Sequence, residues 1–207
     1  METKIDYKKE YPKLYNPSPK EAEIVTAPAF QFLMIDGVGM DFGNPESQQA
    51  IQALFAVAYK IKFGIKKMRG IDYGVLPLEG LWWADDPDDF VKGNREKWRW
   101  TYMIRQPELV AAEIVQAAVQ EVRKGQSNQA LERLRCETFT EGESAQIMHI
   151  GPFSAEHPNI MKVHRRIEES GGRFDGQIQK HHEIYLSDFR KTAPERLKAV
   201  LRQPFVR

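Results

Sequence analysis

The chain has little of several things, and each scarcity removes a class of protein. One cysteine, Cys136, stands among 207 residues, so an internal disulfide is impossible and a reducing compartment is expected. Its setting, "LRCETFTEG", has no His or Asn beside it, so a nucleophilic role is not supported. Net charge is only +1, which gives no general attraction to nucleic acid or anionic lipid. No run approaches the roughly 18 apolar residues of a membrane span, and "METKIDYKKEYPKLY" lacks the apolar core of a secretory signal. These absences imply a cytoplasmic protein with no nucleic-acid or membrane partner. There is no phosphate-cradling glycine loop, no dinucleotide fingerprint and no Gly-x-Ser-x-Gly elbow. The five histidines do not help a metal. His181 and His182 are adjacent on a strand and face apart, and His149, His157 and His164 lack helical zinc spacing. No cofactor and no metal are expected. Nothing in the residues sets the oligomeric state.

Apolar residues make up 42% of the chain and aromatics 11%, enough for a sizeable core. Residues 1–27 are polar and broken by prolines, and read as an arm. "FQFLMIDGVG" (30–39) reads as a strand ending in a glycine turn. Asn44 and Pro45 open a helix whose apolar face carries Ile51, Leu54, Phe55, Ala58 and Tyr59, with Gly64 as its expected stop. "DYGVLPLEGLWWA" (72–84) reads as a strand bent at Pro77 or Gly80. In "KWRWTYMIRQP", Trp98, Trp100 and Tyr102 share one face. "QPELVAAEIVQAAVQEVRKG" is a helix opened by Pro107 and Glu108. "RLRCETFTEG" and "ESAQIMHIG" read as a hairpin turning at Glu141-Gly142. A third helix carries Ile160, Val163, His164 and Ile167 and ends at Gly171 and Gly172. "KHHEIYLSD" (180–188) and the last segment are strands.

This order repeats. Strand, helix, strand, strand occurs twice, and each half ends in Arg-Gln-Pro, at Arg105-Gln106-Pro107 and Arg202-Gln203-Pro204. The implied fold is α+β: two strand–helix–strand–strand modules related by pseudo-twofold symmetry. The expected boundaries are an arm over 1–27 and a domain over 28–207, divided into halves 28–125 and 126–207. A ligand cleft is expected where the halves meet. Overlaying the halves aligns "LEGLW" with "HEIYL", so Glu79 becomes the counterpart of Glu183. Each is a carboxylate in an otherwise apolar strand, costly there unless paired or useful. Glu183 and Tyr185 share a face; a pocket carboxylate beside an aromatic, or a solvent-facing Glu, both fit the pattern. Trp82, Trp83, Trp98, Trp100 and Tyr102 read either as core packing or as an aromatic cage for a flat or cationic ligand. With Glu79 placed on the cleft face, parity puts Trp83 in the cleft and Trp82 in the core.

"FLMIDGVG", "YGVLPLEGLWW", "WRWTYMIRQP", "FTEGESAQIMHIGPF" and "HHEIYLSDFRKTAPERLKAVLRQPF", in this order, resemble the GyrI-like small-molecule-binding family over nearly the whole chain. They are most similar to its stand-alone branch. The resemblance implies a tandem pair of such modules and a ligand that is hydrophobic and often cationic, held by an acidic residue that maps onto Glu183. Relatives serve as multidrug-sensing halves of transcription regulators, but no helix-turn-helix region stands in front here. The stand-alone branch resembles hydrolases that detoxify cyclopropanoid DNA-alkylating compounds by opening the three-membered ring with water. That reading implies Glu183 and Tyr185 as catalytic residues, and Trp82, Trp83, Trp100, Tyr102, Phe153 and Glu79 as ligand-binding. Phe153, in "GPF", stands where a tyrosine is common, so no acid role carries over to it; Tyr185 and Tyr102 are then candidate donors to the ligand's carbonyl. A protein that binds and sequesters toxins without chemistry is the alternative.

Overall fold

A computed structural model describes residues 3–39, 43–86, 89 and 92–207. The acidic loop expected over 85–94 lies largely outside the described residues. Six strands form a closed antiparallel barrel in the order β2-β5-β4-β7-β8-β6. They are β2 (Glu23–Val38), β4 (Leu78–Trp83), β5 (Arg99–Gln106), β6 (Arg135–Ile150), β7 (His181–Tyr185) and β8 (Lys198–Pro204). A parallel pair, β1 (Thr3–Ile5) and β3 (Ile71–Tyr73), stands apart from it. The first module is β2, helix α3 (Pro45–Arg69), β4 and β5; the second is β6, helix α5 (His157–Glu169), β7 and β8. Helix α4 (Ala112–Gly125) follows the first module, and two short helices, α1 (Tyr7–Glu10) and α2 (Pro12–Tyr15), precede it. The expected α+β pair of modules is therefore present.

Local chemistry sets the bounds of α3. The Asn44 side chain accepts a hydrogen bond from the Glu46 amide at 2.9 Å, and Pro45 fills the first turn, where its missing N–H costs nothing. The helix does not stop at Gly64. A mid-helix glycine costs about 1 kcal/mol relative to alanine, less than the roughly 1.5–3 kcal/mol from burying Ile65, which is fully enclosed one turn after Ile61. The helix ends instead at Gly70, whose φ of 68° no β-branched residue would adopt readily.

Three other expectations are corrected. The strand read over 30–39 begins seven residues earlier, at Glu23. The helix expected to open at Pro107 and Glu108 begins at Ala112. No hairpin turns at Glu141-Gly142: Arg135–Ile150 is one 16-residue strand. Its first part pairs with β2 in a register running from Met34↔Arg135 to Glu23↔Gln146, and its second part pairs with β8. Gly142, at φ 80°, supplies the kink that lets one strand serve both partners. This shared strand, together with the β2–β5 pairing, closes the barrel without edges.

Every barrel strand has one face toward the helices and one toward the lumen. On the helix side, Leu33, Ile35, Trp82, Trp100, Tyr102 and Ile104 join the buried face of α3. Ala145, Ile147 and Leu201 meet Val163 and Ile167 of α5. The lumen is filled by Phe32, Met34, Leu81, Met103, Ile184 and Val200, with Leu14 and Tyr15 of α2 as a plug. The repeated Arg-Gln-Pro tripeptides explain themselves here. Arg202 donates to the Leu14 carbonyl at 2.8 Å. Arg105 donates to the Tyr15 hydroxyl at 3.4 Å and lies over the Phe30 ring at 3.4 Å. The expected arm thus seals the lumen with the help of both arginines.

Candidate functional site

Strands β4 and β7, one from each module, lie side by side between the two helices. Their register pairs Gly80 with Glu183, Trp82 with His181 and Leu78 with Tyr185. Directly opposed residues share a face. Trp82, His181, Glu183 and Tyr185 therefore stand together on the helix side, and Glu79, Leu81, Trp83 and His182 point into the lumen. The parity expected from the sequence is reversed: Trp82 lies beside Glu183 and Tyr185, and Trp83 does not. The cause is the overlay of the halves. By face, Glu183 corresponds to Gly80 and not to Glu79, and a one-residue slip along a strand exchanges its two faces.

Gly80 makes the helix-side floor possible. A Cβ there would lie 3.0 Å from the Trp82 indole nitrogen and 3.1 Å from the Tyr185 hydroxyl. Through the space it leaves, the indole N–H donates to the Tyr185 oxygen at 3.0 Å, and the Tyr185 hydroxyl hydrogen-bonds Glu183. Burial first, and then the neighbouring Glu183 charge, push the Tyr185 phenol well above its ordinary range. It stays a neutral donor. Around this line, Trp82 meets Tyr102 edge-on at 5.7 Å, Trp100 stacks on Tyr102 at 4.2 Å, and Phe153 meets Tyr185 edge-on at 5.6 Å. Phe189, which the sequence reading did not select, closes on Phe153 and Tyr185 at 6.3 and 6.4 Å. Of the expected aromatic set, Trp82, Trp100, Tyr102, Phe153 and Tyr185 come together.

Two cavities open on this floor. One, of about 140 Å³, is lined by Trp82, Ile160, His164, Phe174, His181 and Gln203, among others. The other, of about 580 Å³, runs along Ile51, Phe55 and Tyr59 of α3 to Leu78, Tyr185 and Phe189. On β7, Glu183 sits between His181 of the first and Tyr185 of the second. His181 Nε2 is 3.4 Å from a Glu183 oxygen. Burial pushes His164 down to about 4, with His181 and His157 adding to the effect, so it lines the first cavity as a neutral ring. Among the described residues no cluster suits a metal ion.

The opposite face of the same strands holds a buried ionic network that no sequence pattern announced. His182, 1% exposed, places Nδ1 2.8 Å from Glu141 and Nε2 3.0 Å from Glu79. Both ring nitrogens face carboxylates, so both carry hydrogen and the ring is cationic. Burial opposes that charge, but Glu141 and Glu79 outweigh it and raise His182 to about 9. Burial likewise opposes the charge of Glu141, while His182 and Arg202 hold it down to about 2. Arg202 donates to Glu141 at 2.8 Å and to Gln146 at 3.0 Å. Glu79 and Trp83, expected at the ligand, belong to this side: Glu79 to the network, and Trp83 to the lumen core, under the Lys180 ammonium at 3.5 Å.

The network predicts a stability profile. The His182 contribution is complete below its ordinary value of 6.5 and is lost as pH rises through about 9. That of Glu141 is complete above its ordinary 4.5 and is lost as pH falls toward about 2. The network's own contribution is constant between those ordinary values, on top of the alkaline loss that Glu156, raised to about 10 by burial, adds to the whole protein. From there to above pH 9, the network's contribution should decline by on the order of 3 kcal/mol. Urea denaturation of wild type and Glu141→Gln reads this as a stability difference that shrinks toward pH 9; a difference that stays constant up to pH 10 would show that His182 is neutral.

Residues 20–204 match the family described as GyrI-like small molecule binding domain. A hydrolase encoded by lin2189 from Listeria innocua is 41% identical, with a TM-score of 0.85, over 99% of this chain and all of that one. An uncharacterized conserved protein from the same organism is also 41% identical, with a TM-score of 0.89, over 98% of this chain and all of that one. The C-terminal domain of EcmrR shares the fold at 9% identity and a TM-score of 0.55, over 90% of this chain and 98% of that one. No curated protein matches the chain. Among the described residues no helix is long and apolar enough to cross a membrane. With two modules meeting at β4 and β7, and a family match from residue 20 to residue 204, the chain belongs to the GyrI-like small-molecule-binding family.

Proposed function

We propose that the protein is a hydrolase that holds a flat hydrophobic ligand against the aromatic floor of β4 and β7 and opens its strained ring with water. The observation that carries this reading is the Trp82–Tyr185–Glu183 line: a buried carboxylate, oriented by a tyrosine that is itself fixed by an indole. Such a chain gives Glu183 one orientation, as general-base chemistry needs. The two Listeria innocua structures described as hydrolases share 41% of their residues with this chain over 98–99% of its length, which supports an enzymatic role.

For a cyclopropane conjugated to a carbonyl, the step is balanced as follows. Glu183 takes a proton from water as the water oxygen bonds to a ring carbon. The ring C–C bond breaks, and its electron pair passes through the conjugated system to the carbonyl oxygen, which must then gain a proton. Trp100 and Tyr102 stiffen the wall behind Trp82, while Phe153 and Phe189 exclude water above Tyr185. Tyr185 is the positioning partner of Glu183, because its hydroxyl hydrogen is already committed to that carboxylate.

The test is incubation of the protein with a cyclopropanoid alkylator and mass spectrometry of the small molecule. A product heavier by one water, formed catalytically, is expected. Stoichiometric binding without any such product would replace the hydrolase with a sequestering protein, the second reading that an aromatic floor serves equally well.

A further inference from the structure

The step above leaves the carbonyl oxygen in need of a proton, and the hydrogens of Trp82 and Tyr185, which line Glu183, are already engaged. The Trp82 N–H is given to Tyr185, and the Tyr185 hydroxyl is given to Glu183. Phe153 has no hydroxyl. One acidic group near Glu183 has no part in the reaction so far. Glu156 stands at the N-cap of α5, directly after the short 3-10 turn Phe153–Ala155. A carboxylate at an N-cap ordinarily accepts from the backbone amides of the first turn. The side chain of Glu156 caps none of them. It is 5% exposed, and its Oε1 is buried with no hydrogen-bond partner in the protein. An uncapped, buried carboxyl with an unmatched oxygen beside a second carboxylate is costly unless it is put to use.

Its position is braced from the sheet. His149, 3% exposed, contacts the Pro152 carbonyl through Nε2 at 3.1 Å and the Asn159 amide through Nδ1 at 3.2 Å. The ring thus bridges a carbonyl on one side and an amide on the other. This ties the turn that carries Phe153 to the start of α5. The same turn that sets Phe153 on Tyr185 therefore delivers Glu156 to the floor.

We propose that Glu156 is the proton donor of the site, giving its proton to the ligand's carbonyl oxygen while Glu183 takes one from water. The proposal rests on the hydrolase reading above. Burial, and then the Glu183 charge, push Glu156 far above the usual carboxylate range, so it holds its proton at neutral pH. Two carboxyls whose surroundings separate their affinities for a proton form an acid and a base from one residue type. After ring opening Glu183 is protonated and Glu156 is not. A proton passing from the first to the second restores both, and the sum is the addition of one water. The charged and titratable groups acting with Glu156 are Glu183 and Tyr185 of β7, with His181 beside Glu183; His157 follows it in the chain, and His149 braces the turn that carries it. The inference also narrows the ligand. A neutral acid rewards an acceptor oxygen, so the group read by Glu156 is a conjugated carbonyl.

The test compares wild type, Glu156→Gln and Glu156→Asp in ring opening of a cyclopropanoid alkylator across pH. Infrared spectroscopy of the free proteins reads the carboxylic-acid C=O stretch alongside. Wild-type turnover is expected to fall as pH rises past the loss of the Glu156 proton. The Gln variant, an isostere of the neutral acid, is expected to bind ligand, to turn over at least tenfold more slowly, and to lose that alkaline limb and one carboxylic-acid band. The Asp variant should regain part of the rate and the limb, and it decides the matter should the Gln variant melt well below wild type. A Gln variant with the wild-type rate and the wild-type alkaline limb overturns the role of Glu156 alone. A wild type with no turnover overturns this role and the hydrolase reading together.

Discussion

Glu183→Gln is expected to slow ring opening about 10²–10⁴-fold, the usual contribution of a positioned general base, while ligand binding and the fold persist. That is about 3–5 kcal/mol of barrier. The expectation comes from what the substitution keeps. Gln fills the same volume and still accepts from the Tyr185 hydroxyl, so the Trp82–Tyr185 line stays in place. What it removes is the ability to take a proton from water. With Phe153 and Phe189 packed against Tyr185, bulk water does not supply a substitute base at a comparable position. The effect should appear in kcat, with KM little changed, because uniform binding through the aromatic floor is untouched. Single-turnover kinetics with the mass readout measure it. A variant that turns over at the wild-type rate removes Glu183 from the chemistry and leaves it a ligand-binding group.

On the other face of the same strand pair, Glu141→Gln is expected to cost about 3–5 kcal/mol of folding stability, as breaking a buried pair does when charge is left unmatched. Glu141 is the carboxylate shared by His182 at 2.8 Å and Arg202 at 2.8 Å. Without its charge, two buried cations face Glu79 alone, and His182 must lose its proton to relieve them. The variant should therefore also lose the His182 share of the alkaline decline in stability. Urea denaturation at pH 6 reads the first effect, and repetition at pH 9 reads the second. Because this network lies in the lumen and the aromatic floor lies on the helix side, turnover at low temperature should remain near wild type. A loss of stability below about 1 kcal/mol would place the pair among those that contribute little, as solvent-exposed pairs do.

The modules, their order and their pairing were legible because hydrophobic periodicity and capping are local. Asn44, Pro45 and the apolar stripe of α3 name a helix without reference to anything else in the chain. Closure of the barrel was not legible. "ETFTEGES" carries the Glu-Gly pair of a hairpin, yet β2 supplies a partner along its whole length, so the Gly142 conformation serves a kink in a continuous strand. The choice of Trp82 over Trp83 depended on register between strands separated by about half the chain. Aligning the two carboxylates, Glu79 and Glu183, was chemically attractive and one residue out of phase. Steric need sets the true register: Gly80 must stand opposite Glu183 to admit the indole and the phenol. Glu156 was passed over because its sequence setting, just before a helix, is that of an ordinary N-cap. Only its burial and its unmatched oxygen distinguish it.

The central claim is that ligand is held on the helix-side face of β4 and β7, and not in the lumen. Trp82 and Trp83 are neighbours in sequence and sit on opposite faces, so they report on it directly. Titration of Trp82→Phe and Trp83→Phe with the same cyclopropanoid compound, followed by calorimetry, tests the claim. Trp82→Phe is expected to weaken binding about tenfold or more through loss of the indole that orders Tyr185, consistent with the roughly 1.4 kcal/mol that a tenfold change represents, while Trp83→Phe binds as wild type does. Weakened binding in Trp83→Phe beside unchanged binding in Trp82→Phe would contradict the account and move the site to the lumen.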